Sequence, residues 1–133
     1  MTTLNFNMFV FIALVIASSS FYSCAGKTKH VVGDDFGWNR PKYPEFYAEY
    51  SSVNTFTVGD SLYFNFLNES HNVATVSPEA YHECNLDDAQ VVIKTGPGSI
   101  DLSTEGVHHY VSTINDDCQV HQKLAILVHP SPV

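Results

Sequence analysis

From residue 29 onward the chain alternates short apolar runs with turn signals, the spacing of a sandwich of strands. The clearest run is Ser-Leu-Tyr-Phe-Asn-Phe-Leu at 61–67. There Leu62, Phe64 and Phe66 fall on one face and Tyr63 on the other. Further strands are predicted at 29–32, 54–58, 72–76, 91–93, 99–102, 107–114 and 123–129. The turns between them include Gly59-Asp60, Thr95-Gly96-Pro97-Gly98, Ser103-Thr104-Glu105-Gly106 and Asn115-Asp116-Asp117. Ser77-Pro78-Glu79 reads as a helix start, with Ser77 as cap and Pro78 at the first helical position, and the helix runs to about Glu83. No long helix is predicted. The expected fold is all-β: a Greek-key sandwich or barrel of about seven or eight strands with one or two short helical turns.

The one continuous apolar run, residues 8–17, precedes this pattern. A bilayer span needs about 20 such residues, so the run is too short to be one. A polar stretch ending Ser23-Cys24-Ala25 follows, with the small-x-small form of a cleavage site before Gly26. Residues 1–25 are therefore read as a secretory signal peptide and 26–133 as one domain. A buried first strand or a single anchor is the other reading of the run. The end, His129-Pro130-Ser131-Pro132-Val133, shows no lipid-anchor signal. The domain is expected to be exported and soluble, at the outer face of the plasma membrane if a longer anchored form exists, and monomeric.

Cysteine use agrees with export. Cys24 falls in the signal, which leaves Cys84 and Cys118 as a pair in an oxidising compartment. A disulfide is the default; metal binding by the two thiols is the alternative. A bridge would close a loop of ~34 residues, worth roughly 3–4 kcal/mol in the chain-entropy model. The formal charge of −8 lies wholly in residues 26–133 and argues against nucleic acid as a partner. Seven histidines moderate it: near pH 5.5 the net charge would move toward about −2.

Several spaced motifs, in order, carry a resemblance. Val32-Gly33-Asp34-Asp35-Phe36-Gly37-Trp38 opens the series, and Phe56-Thr57-Val58-Gly59-Asp60-Ser61-Leu62 follows. His71-Asn72-Val73, Tyr81-His82-Glu83-Cys84-Asn85 and the closing stretch from Cys118 through Gln122-Lys123-Leu124 complete it. Together they resemble the phytocyanins, plant cupredoxins that include stellacyanins, plantacyanins, uclacyanins and early nodulin-like proteins. The match covers essentially all of residues 26–133.

That resemblance implies a blue-copper site of two imidazoles, one thiolate and a weak axial ligand. His71 fits the first histidine. The family's last loop supplies the rest in the order Cys-x4-His-Cys-x3-Gln/Met, and here Cys118 and Gln122 fix the register. Ser112 then stands at the thiolate position and Asp117 at the second imidazole position, with Gln122 at the axial one. His121 replaces the family's glycine before the axial residue. The resemblance thus implies a scaffold whose type 1 copper site is partly lost, the condition of early nodulin-like members, so no cofactor is expected.

His71 is then a retained scaffold histidine hydrogen-bonded near the old site. A rebuilt non-blue site for Cu(II) or Zn(II) from His71, Asp117, His121 and Gln122 is the sharper alternative. His108, His109 and His121 would take up Cu(II) weakly as surface histidines. Ser112, His109 and Asp117 hint at a hydrolase, but residues three apart on a strand point to opposite faces and no nucleophile elbow is present. No enzyme activity is expected.

Trp38, Tyr43, Phe46, Tyr47 and Tyr50 form an aromatic cluster, read as core and sheet-edge packing, with a stacking platform for a glycan or peptide as the alternative. Asn68-Glu69-Ser70 is an N-glycosylation acceptor just before His71. The function expected is non-enzymatic recognition or signalling at the cell surface or wall, toward a glycan or protein ligand. Electron transfer or metal handling at the rebuilt site is the second reading.

Overall fold

The computed structural model describes residues 27–131. The expected signal peptide, residues 1–25, lies outside them. Eight strands form two sheets, as the alternation requires. The smaller sheet has the order β1-β3-β6, from β1 (Lys29–Val31), β3 (Ser61–Asn68) and β6 (Gly96–Asp101). The larger has the order β2-β8-β7-β4-β5. Its members are β2 (Phe56–Thr57), β8 (Lys123–His129), β7 (Gly106–Val111), β4 (Val73–Thr75) and β5 (Gln90–Ile93). β1 runs parallel to β3 and β2 parallel to β8, while the other pairings are antiparallel. β5 is an outer strand of its sheet, and Val91 and Val92 are exposed on it.

The core forms between the two inner faces. Leu62, Phe64 and Phe66 of β3 are buried, the alternation read from 61–67, and they meet Tyr110, Leu124, Ile126 and Val128 from β7 and β8. At one end His30 of β1 reaches Asp60 of the β2–β3 turn at 2.9 Å, a buried pair. Asp60 also accepts from the amides of Thr28 and Thr57, so one carboxylate ties β1 to the β2–β3 turn.

The helix at Pro78–Glu83 is present as expected and is called α2; the Ser77 hydroxyl accepts from the Ala80 amide. An earlier helix, α1 (Phe46–Val53), is a correction to the expectation of packed aromatics alone. It turns Tyr47 and Tyr50 inward, one helical turn apart, and packs against β8. The Tyr47 hydroxyl lies between the carbonyls of Gly37 and Asn39 and accepts from the Asn39 amide. A 3-10 turn at Asp34–Phe36 precedes α1.

The stretch 95–98 is the second correction. Gly96 to Gly98 begin β6 rather than forming a loop. Their glycines serve close approach: a Cβ on Gly96 would lie 2.5 Å from the Phe66 carbonyl oxygen, and one on Gly98 2.9 Å from Ile93 Cγ2. The strand predicted at 107–114 stops at Val111, and residues 112–122 form a loop.

Candidate functional site

The site is built where two loops meet at one end of the sandwich. After β3 the chain turns at residues 67–70, with the Ser70 amide and hydroxyl both donating to the Leu67 carbonyl. This places His71 and Asn72 just before β4. Asn72 is held on several sides. Its carbonyl accepts from Trp38 Nε1 at 2.9 Å, and its side chain brackets Thr113 through two 2.8 Å bonds.

The second loop follows β7. It is wound by its own backbone bonds, with the Asp117 amide on the Ile114 carbonyl, Val120 on Asp116, His121 on Cys118 and Gln122 on Asp117. Cys118 bridges to Cys84 at the carboxyl end of α2, the disulfide expected from the sequence. The bridge and the bonds through Asn72 hold the loop in register with the His71 turn.

Asp117 is the centre of the arrangement and is buried. Its Oδ2 lies 2.7 Å from His71 Nδ1 and accepts the Ser112 hydroxyl at 2.7 Å. Its Oδ1 lies 3.2 Å from Arg40 Nε, and Arg40 also pairs with the exposed Asp116. Ser112 is fully buried, and its oxygen accepts from the Asn72 amide at 3.3 Å. One carboxylate therefore joins the turn before β4, the end of β7, the last loop and the segment after Trp38. Each charge-assisted bond of this kind is stronger than a neutral one.

Gln122 is fully buried beside this centre. Its backbone joins the loop to Ser112 and Asp117, yet neither side-chain amide atom has a hydrogen-bond partner among the described residues. Buried amides are rarely left so. His121 is exposed and adopts φ 73°, a left-handed conformation that glycine takes without cost. Its ring makes no hydrogen bond with His71, Asp117 or Gln122 among the described residues. The structure thus brings His71, Ser112, Asp117 and Gln122 together and leaves His121 outside.

His109 is also outside. It packs on Tyr81 with ring centroids 5.0 Å apart, and desolvation, then the neighbouring His82 and His108, lower its pKa. The Ser112 hydroxyl and the His71 imidazole both bond Asp117 Oδ2, so the carboxylate rather than the imidazole is the group they share. A hydrolytic triad needs the imidazole between the two. Asn68 is exposed in the turn before His71. Of the aromatic cluster, Trp38, Tyr47 and Tyr50 are core residues, whereas Tyr43 is 46% exposed.

Arg40 was not among the residues singled out in the sequence. It lies 77 positions before Asp117 and no motif spacing links the two.

The donor set does not fit type 1 copper. Such a centre takes two imidazoles and a thiolate. Here one imidazole is present, the cysteine nearby is in a disulfide, and the Ser112 hydroxyl and Asp117 carboxylate are committed to each other. The Gln122 amide is left unpartnered among the described residues. Among the described residues no group of three or more His, Cys, Asp or Glu side chains is placed to hold a metal ion.

Two sheets in these orders, with a disulfide-held loop before the last strand, make a cupredoxin. The structure of cucumber stellacyanin superposes with a TM-score of 0.75 at 37% identity, over 80% of this chain and 98% of that one. The plastocyanin-like domain family matches residues 38–122. A blue copper protein of Arabidopsis thaliana is 36% identical over 126 residues, 95% of this chain and 60% of its own length. Early nodulin-like protein 9 of the same plant is 30% identical over 97 residues, 73% of this chain and 48% of its own length. The chain spans 60% of the first of these relatives and 48% of the second. It belongs to the plastocyanin-like family and, within it, to the phytocyanins. No helix among the described residues is long and apolar enough to cross a membrane.

Proposed function

We propose that this phytocyanin works without copper, as a non-enzymatic recognition or signalling protein of the cell surface or wall. The observation that carries the reading is the Asp117 carboxylate. It bonds His71 and Ser112 and pairs with Arg40, occupying side chains that the family pattern would give to a metal. A side-chain network replaces the coordination sphere, and the loop is held without an ion. The resemblance to early nodulin-like proteins supports the same reading, and the putting-aside of electron transfer follows from the missing thiolate. An N-linked glycan on Asn68 would further crowd the approach of a redox partner to this end.

The test is the copper and zinc content of the purified secreted protein, with a visible spectrum after Cu(II) addition. Absence of stoichiometric metal and of an intense blue band is expected. A tightly held equivalent of copper with that band would overturn the reading. The double variant Ser112→Cys/Asp117→His then serves as the positive control, since it restores the thiolate and second imidazole and should turn blue.

A second reading is favoured by the unpartnered Gln122 amide: a rebuilt, non-blue metal site at His71 with Asp117 and Gln122. One equivalent of metal without a blue band, abolished by His71→Ala, would establish it. Uptake unchanged by that substitution would sink it.

A further inference from the structure

The 3-10 turn at Asp34–Phe36 and helix α1 enclose a surface depression of about 410 Å³ that shares no residue with the Asp117 network. Phe36, Tyr43, Phe46 and Tyr50 line it, and Asp34, Asp35 and Glu49 stand among them. The rings are ordered against one another. Phe36 and Phe46 lie 4.8 Å apart between centroids, and Tyr43 meets Phe46 edge-on at 5.8 Å. The Tyr43 hydroxyl donates to Glu49 at 3.2 Å, which holds an exposed ring beside an exposed carboxylate. Burial and then the Asp34 carboxylate raise the pKa of the Tyr50 phenol, in keeping with Asp34 at the inner wall.

Among the described residues no Lys, Arg or His lines the depression. Elsewhere the chain's own cations meet its tyrosines and carboxylates. Lys29 stacks over Tyr63 at 4.3 Å, Lys123 over Tyr81 at 4.6 Å, and Arg40 pairs with Asp116 and Asp117. Here, among the described residues, three carboxylates and an aromatic wall stand without such a partner. A cation with an apolar stem satisfies both, since its charge faces the carboxylates and its methylenes or guanidinium plane cover the rings. A neutral sugar would use the rings and leave the charge uncompensated.

We propose that this depression docks an arginine or lysine side chain of a basic peptide segment in a partner protein. The inference is independent of whether the Asp117 end holds metal.

The probe is the peptide acetyl-Gly-Arg-Gly-Arg-Gly-amide, with a twin carrying citrulline, the neutral isostere, at both arginines. Binding is followed by amide chemical shifts of the labelled protein. The expected result is saturable shifts at Asp34, Asp35, Tyr43 and Glu49, with the citrulline twin at least about tenfold weaker. Binding should weaken several-fold as salt rises to about 0.5 M, because the rim charges are solvent-exposed. Asp35→Asn/Glu49→Gln should weaken it about tenfold, as should Tyr43→Ala. All three side chains are exposed, and an otherwise unchanged amide spectrum checks the fold.

Equal binding of the citrulline twin would overturn the proposal. So would shifts centred on another acidic region such as Asp87 and Asp88, or insensitivity to both variants. Saturable shifts at the same residues with cellotetraose but not with the arginine peptide would assign the depression to a glycan instead.

Discussion

Asp117 and Gln122 are neighbours in the fold with opposite states of satisfaction, and their substitutions should pull stability in opposite directions. Asp117→Ala leaves the His71 ring and the Ser112 hydroxyl facing no acceptor. A loss of about 2–4 kcal/mol is expected in urea unfolding. The Arg40 share of that loss is small, since its side chain is 47% exposed. Gln122→Leu removes two buried polar atoms without a partner among the described residues, so it should be neutral or stabilising by about 1–2 kcal/mol. A marked loss on that substitution would mean the amide has a partner after all. His71 was legible through the His71-Asn72-Val73 motif, and Ser112 and Asp117 through the register set by Cys118 and Gln122. Arg40 and the His30–Asp60 pair were not, since long-range contacts between single charged residues leave no periodic trace.

The elements follow the same division. β3 and β8 alternate one buried with one exposed position, so both were readable from pattern alone. α2 announced itself through Ser77 and Pro78. α1 did not: Phe-Tyr-Ala-Glu-Tyr-Ser-Ser-Val is rich in aromatic, serine and β-branched residues, and Glu45 gives it no side-chain cap. Tertiary burial of Tyr47 and Tyr50 makes it a helix. In β6, Gly96-Pro97-Gly98 has the composition of a turn, and the reason for its glycines lies on Phe66 and Ile93, far off in sequence. α2 is joined to the last loop by the Cys84–Cys118 bridge across 34 positions. Cys84→Ser should therefore cost roughly 3–4 kcal/mol. A thiol assay on the native wild type should find no free thiol at either position, whereas two reactive thiols would contradict the bridge.

For the molecule as a whole, acidity and histidine content act against each other as pH falls. His109 is the histidine with a clear sign. Burial first, and then the charges of His82 and His108, lower its pKa in the folded state, with Glu79 opposing. The unfolded chain takes the proton first, near pH 6.5, so stability falls as pH drops from there toward the lowered folded value. His109→Gln should flatten that dependence, measured as the difference in urea midpoint between pH 7.5 and 5.5. An undiminished difference would place the loss in other groups. The Asp117 network bears on how the protein is made. A loop closed by an ion is finished only when a supply of that ion reaches it, and a chelator can undo it. A loop closed by His71, Ser112 and Arg40 carries its fastener in the same translated chain. Under the copper-free reading proposed above, each copy that folds would be complete at once, independent of metal chaperones and of the metal status of the tissue that makes it.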